Sequence, residues 1–211
     1  MTRAGPSIMN RRGLGLLELI LAITITSITA LAVATVLVSV SRGMTAINQG
    51  RSSLQRAHAA HVRLRTYTDP ALALLAFDPE RGIALWLHDQ TENGQVNVSE
   101  LRVFWFNAQE GTLSVEYVDF PDEWTEEMVE TYDTVVTGVE DPFEAMEAQR
   151  ALGFTATSVL ADGVMGLDLT HNELDIKQSD RAQLAMTFRL NEDQGNEVLM
   201  VLGMPNHQAP Q

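Results

Sequence analysis

From Leu19 to Val40 the chain runs for 22 residues without a charged side chain. At about 1.5 Å of rise per residue, a helix of that length crosses the roughly 30 Å hydrocarbon layer of a bilayer. The hydroxyls within the run (Thr24, Thr26, Ser27, Thr29, Thr35, Ser39) can bond back to helix carbonyls, so they leave the assignment intact. From Ser41 the apolar density falls while helix formers continue, and Ile47, Leu54, Ala57, His61 and Leu64 recur on a three- and four-residue spacing. That spacing predicts an amphipathic helix with one stripe that packs on a partner. Gly43 and Gly50 weaken it, and Asp69-Pro70 is its expected stop.

Beyond Pro70 the pattern shifts toward strands. Residues 82–88 (GIALWLH), 100–107 (ELRVFWFN) and 112–120 (TLSVEYVDF) are rich in β-formers and are separated by turn-like segments, 107–111 being a short connection. They predict an antiparallel meander. Acidic, helix-compatible stretches follow at 122–132 and 141–152, then apolar runs at 157–171, 181–190 and 196–205, the last two forming a hairpin across 191–196. A helix followed by an antiparallel sheet is an α+β arrangement. The expected division is a membrane helix over 14–41, an extramembrane amphipathic helix over 42–68 and an acidic globular domain over 69–211.

Charge sharpens this division. Residues 1–65 carry eight arginines against Glu18 alone, whereas the remainder carries six basic and 27 acidic side chains. A domain this acidic has no generic phosphate-neutralising face for nucleic acid. It suits an aqueous exterior, a cationic partner or calcium. With no cysteine, disulfides and thiolate chemistry are excluded, and the redox compartment stays open. Arg3, Arg11 and Arg12 ahead of the apolar run favour a cytoplasmic amino terminus, while Arg42 and Arg51 after it blur that preference and suit anionic headgroups.

No nucleophile elbow, HExxH or phosphate-cradling glycine loop is present, so no enzymatic activity is expected. His58 and His61 share a helix face without an evident third metal ligand. His171, Glu173 and Asp175 read as a solvated turn rather than an active site, and Trp86, Phe104 and Trp105 as packing in the sheet.

The misfit is Glu18. An ionised carboxylate at membrane depth costs roughly 2.5–3.5 kcal/mol even on insertion scales. A secretory signal, with Ala30-Leu31-Ala32 or Ala32-Val33-Ala34 as its cleavage site, leaves Glu18 interrupting the apolar stretch. A plain membrane anchor leaves it an accident. A third reading explains it. Gly13-Leu14-Gly15-Leu16-Leu17-Glu18-Leu19-Ile20, preceded by Arg11-Arg12, resembles the prepilin-type cleavage and methylation motif of type IV pilins and type II secretion pseudopilins.

The resemblance implies a leader, residues 1–13, removed after Gly13 by a prepilin peptidase, with Leu14 as the N-methylated mature terminus. It further implies that Glu18 meets the terminal amine of a neighbouring pilin or pseudopilin subunit during assembly, a buried charge beside a buried counter-charge. The chain departs from the common pattern in having Leu14 rather than phenylalanine first, Gly15 rather than threonine second, and no proline in the helix. The implied fold is pilin-like, with the second half of the helix packed on the sheet. The implied setting is the bacterial inner membrane and its lipid, with the globular domain in the periplasm. Within residues 157–171, VLADGVMGLDLTH is similar to a strand near the end of J-type minor pseudopilins and W-type minor pilins. The rival reading is a membrane-tethered binding or sensory ectodomain in which Glu18 is incidental.

Residues 89–100 (DQTENGQVNVSE) also align with a calcium-loop pattern. Asp89, Thr91, Asn93, the Gln95 carbonyl, Asn97 and the closing Glu100 supply oxygens, and Gly94 stands at the sharp turn. The competing reading is a bare hairpin turning on Asn93-Gly94.

Overall fold

A computed structural model describes residues 15–136, 140–190 and 194–210. Helix α1 (Leu16–Thr68) is followed by strands β1 (Ala73–Asp78), β2 (Gly82–Trp86), β3 (Val96–Asn97), β4 (Leu101–Asn107) and β5 (Thr112–Val118). Helix α2 (Glu126–Tyr132), strand β6 (Val135–Val136), helix α3 (Pro142–Leu152) and strands β7 (Thr155–Asp162), β8 (Val164–His171), β9 (Arg181–Arg189) and β10 (Gly195–Gly203) complete the order. The chain is α+β, as expected. Its contacts divide it at Asn48/Gln49, so the compact second unit begins inside the segment 42–68 that the sequence sets apart.

In the first unit, α1 from Leu16 onward exposes its apolar side chains on every side. In the second unit, α1 ends where predicted: the Asp69 N–H still bonds to the Arg65 carbonyl at 2.9 Å, and the two side chains pair at 3.1 Å. Pro70 then stops the helix because it has no N–H to donate.

All sheet pairings are antiparallel. Five strands lie in the order β1-β2-β4-β5-β7, three in the order β10-β9-β8, and β3 pairs with β6. The expected meander is β2-β4-β5, and the expected hairpin is β9-β10.

Alternation along the strands builds two cores. Ile83, Leu85, Phe104, Phe106, Leu113 and Val115 face Ala57, Ala60 and Leu64 of α1 and the inner side chains of the three-stranded sheet. On the opposite face, Ala84, Trp86, Leu101, Val103 and Val118 meet Val96, Val98 and the Phe143, Ala145 and Met146 side chains of α3. Helix α3 is framed by Asp141, whose carboxylate accepts the Phe143 N–H, by Pro142 at its first position and by the left-handed Gly153 at its end.

Three expectations need correction. The buried stripe of α1 is Ser53, Ala57, Ala60, Leu64 and Thr68, while Leu54 and Ile47 are exposed. Small side chains let the helix backbone approach the sheets closely, which large apolar ones would prevent. Strand β1 was unforeseen. The run 157–171 is two strands in different sheets, because Gly163 adopts φ +70 and turns the chain from β7 into β8.

Two arginines fasten α1 at this crossing. Arg56 donates to the Arg189 carbonyl at 2.8 Å and Arg63 to the Leu160 carbonyl at 2.7 Å. At the outer end of the larger sheet the C-terminal segment folds back, and the Leu72 carbonyl accepts the Gln208 N–H at 2.9 Å with the His207 ring nitrogen 2.8 Å away.

Candidate functional site

The first candidate is the start of α1. Gly13 and Leu14 lie outside the described residues. Glu18 stands in the first helical turn, and its Oε2 accepts the Gly15 N–H at 3.1 Å, so the carboxylate covers a donor that the helix start leaves without a partner. Behind it the surface is uniformly apolar. Thr24, Thr26, Ser27, Thr29 and Thr35 each donate to the carbonyl four residues earlier, at 2.6–2.9 Å. Their hydrogen-bonding capacity is thereby met inside the helix. The helix is long and apolar enough to cross a membrane, and none of its most apolar window is buried. Glu18 is its only charge before Arg42.

The second candidate is the loop from Asp89 to Glu100. Between β2 and β4 the chain makes an excursion through β3 and a short 3-10 turn (Val98–Glu100). Positive φ falls on Glu92 and Gly94, not on the pair Asn93-Gly94, so the two-residue hairpin reading does not hold. Asp89 gathers the loop tip, with Oδ1 accepting the Asn93 N–H at 3.1 Å and Oδ2 the Gly94 N–H at 2.9 Å. Thr91 Oγ1 lies 3.5 Å from Asp89 Oδ1. The Asn93 side chain accepts the Gln95 N–H at 2.7 Å and donates to Asn97 Oδ1 at 3.2 Å.

Glu100 is fully buried. Its Oε1 accepts the N–H groups of Gln90 (2.6 Å) and Thr91 (3.3 Å), and its Oε2 accepts the Trp86 indole (3.0 Å) and the Asn97 N–H (3.2 Å).

Calcium is one of the two readings of this loop, and the donors around Glu100 bear on it. Two donors on each Glu100 oxygen occupy the directions a bidentate cation would need, and those N–H dipoles present their positive ends to the same point. Among the described residues, no group of three or more His, Asp or Glu side chains converges as metal ligands. The loop is built around an acceptor that satisfies backbone donors, which is the requirement for burying a carboxylate without a cation.

Comparison of the chain with protein-family models and with curated proteins finds no match.

Sequence reading missed the partners that lie far along the chain. Asp133 joins the loop from beyond α2, accepting the Ser99 N–H at 2.9 Å and the Ser99 hydroxyl at 2.8 Å, while Asn97 Nδ2 donates to its carbonyl at 3.2 Å. Glu116, buried on β5, holds α3 to the sheet. Its Oε1 accepts Arg150 Nε at 2.9 Å, and its Oε2 accepts Arg150 Nη2 and the Trp105 indole, both at 2.5 Å.

Burial works to raise the Glu116 pKa. Hydrogen bonds from Arg150 and Thr155, the Arg150 charge and the Trp105 indole outweigh it and hold the carboxyl below its ordinary value. The same hydrogen bond raises the Arg150 pKa. Trp105 lies between two guanidinium groups, Arg150 at 4.7 Å and Arg81 at 5.9 Å from its ring centre. Arg81 in turn pairs with Asp141 at 2.6 Å. Trp86, Phe104 and Trp105 therefore pack in the sheet as expected.

His58 is exposed and His61 half-buried on α1. His171 ends β8, and Asp175 accepts the Lys177 N–H in the following turn. These dispositions are those of a solvated helix face and a capped turn.

Proposed function

We propose that this chain is a pseudopilin or minor pilin. On this reading it is a structural, non-enzymatic subunit of a type II secretion or type IV pilus-like filament. A prepilin peptidase cuts between Gly13 and Leu14, Leu14 is N-methylated, and the protein waits in the bacterial inner membrane with its acidic domain in the periplasm. The observation that carries the reading is a lone carboxylate, Glu18, in the first turn of a helix that is otherwise uncharged up to Arg42 and whose later residues belong to a small α+β domain.

Among the described residues Glu18 has one backbone donor, from Gly15. A carboxylate has room for more, and a neighbour's terminal ammonium supplies both charge and donors. In lipid that pair gains strength because neither partner has water to return to. Meeting the amine at one fixed level sets the axial register between subunits, which a smooth apolar rod cannot do by itself.

The deciding measurement is the intact mass and amino-terminal sequence of the membrane-bound protein. Cleavage before Leu14 with one added methyl group is expected. An intact Met1 terminus would instead favour a tethered ectodomain. Glu18→Ala is expected to insert and be processed normally but to lose at least tenfold of its incorporation into filaments, measured in the sheared fraction.

A further inference from the structure

Helix α2 is an unusual element for a folded domain. None of its seven residues is buried, and isolated helices of this length do not persist in water. It is tied down at its ends alone: Thr125 caps its start, and Tyr132 meets Trp124 and Phe154 at ring distances of 4.9 and 5.5 Å. Residues 119–133 hold seven acidic side chains and no basic one. Glu126 and Glu130 stand four apart, a like-charge pair that destabilises the helix carrying it. Met128 is 44% exposed in the same turn.

The opposite chemistry lies on α1 within the same compact unit. Residues 51–65 carry Arg51, Arg56, Arg63 and Arg65 with no acid. Arg56 and Arg63 are turned to backbone carbonyls and Arg65 pairs with Asp69, while Arg51 and His58 remain on the exposed side with Leu54 and Val62. Beside them runs an open groove of about 830 Å³ whose lining includes Leu54, His58, Val62 and Val198 and, at one end, the paired Arg65 and Asp69.

We propose that α2 of one copy docks on the exposed Arg51–Arg65 face of α1 in the next copy, Met128 entering the groove at Leu54 and Val62 and the glutamates facing Arg51 and His58. The proposal rests on the filament reading and adds the contact between its globular domains. Taken head to tail, with each copy offering α2 to one neighbour and its α1 face to another, the contact is heterologous and propagates along the filament on which the proposal rests. A seven-residue helix covers far less than the roughly 800 Å² per partner of a self-sufficient interface, so the contact operates where membrane helices already hold the copies close.

The full-length chain contains no cysteine, so site-directed crosslinking starts without background. Leu54→Cys and Met128→Cys, placed in separate copies expressed together in the native membrane and treated with a short bis-maleimide, are expected to give a dimer. The double variant is expected to give a ladder. Leu54→Cys alone, and Leu54→Cys with the fully exposed Leu174→Cys, are expected to give at least fivefold less product.

Glu126→Lys with Glu130→Lys is expected to reduce the product at least fivefold. Adding Arg51→Glu and His58→Glu is expected to restore it. Absence of the 54–128 product in membranes where Glu18-dependent filaments still form overturns the docking and leaves the filament reading intact. Absence of both product and filaments overturns both. A product indifferent to the charge reversals also overturns the docking.

Discussion

The two stretches of helix α1 obey different rules although the backbone is helical throughout. Up to Asn48 none of the described side chains of the helix is buried: Leu17, Leu31 and Val36 are all exposed, and hydroxyls such as Ser27 and Thr35 turn inward to carbonyls. From Gln49 it buries Ser53, Ala57, Ala60, Leu64 and Thr68 and sends two arginines to sheet carbonyls. The carboxylates differ in the same way. Among the described residues Glu18 has one donor, whereas Glu100 and Glu116 are buried with three or four each. A side chain whose requirements are met within the chain serves the fold, and one left open is available to another molecule.

The largest expected effect tests where the stability resides. Leu64→Ala should lower the unfolding free energy of the folded domain by about 3 kcal/mol, within the usual range for a buried leucine. Leu31→Ala should leave the domain's denaturant midpoint unchanged; equal losses would erase the contrast between the two stretches. Next comes Glu100→Gln, which replaces an acceptor oxygen with an NH2 group facing two donors. A loss of about 2 kcal/mol is expected by denaturant titration, while Glu18→Ala should cost the domain nothing in the same assay.

A smaller effect is the acid limb of stability. The Glu116 pKa is lower folded than its ordinary value of 4.5. Its contribution is therefore complete above about pH 4.5 and is lost as pH falls through the folded value. Melting profiles of Glu116→Gln should lie below wild type at neutral pH and converge with it in acid; parallel profiles would remove the assignment. The smallest is calcium. Millimolar calcium should leave the melting temperature of the full chain unmoved, since Glu100 already holds four donors. A clear rise would return Asp89, Thr91, Asn93, Gln95, Asn97 and Glu100 to the calcium reading.

How much of this was legible in the sequence follows the range of each interaction. The helix stop at Asp69-Pro70, the meander and the β9-β10 hairpin are local, and each carried its own signal. Strand β1 did not, because residues 71–77 are apolar without alternation, as a strand covered on both sides is. Of the expected α1 stripe, Ala57 and Leu64 are buried, but close approach to a sheet selects small side chains, so Ser53 and Ala60 take the places given to Leu54 and His61. Glu100 stood out in the sequence as a loop carboxylate, but its four N–H partners did not. Its loop is completed by Asp133, from beyond α2, and no spacing rule joins positions brought together only by the fold.

The folding back of residues 204–208 over the start of β1 has a consequence for how the protein keeps its own company. Flush sheet borders recruit strands from other chains, and a subunit stored at high local density is exposed to that hazard. By occupying the Leu72 carbonyl from within, the tail closes this stretch of border before a neighbour can template on it. In the proposed filament, copies are then left to recognise one another by side chains, which can specify a partner, rather than by main chain, which accepts any.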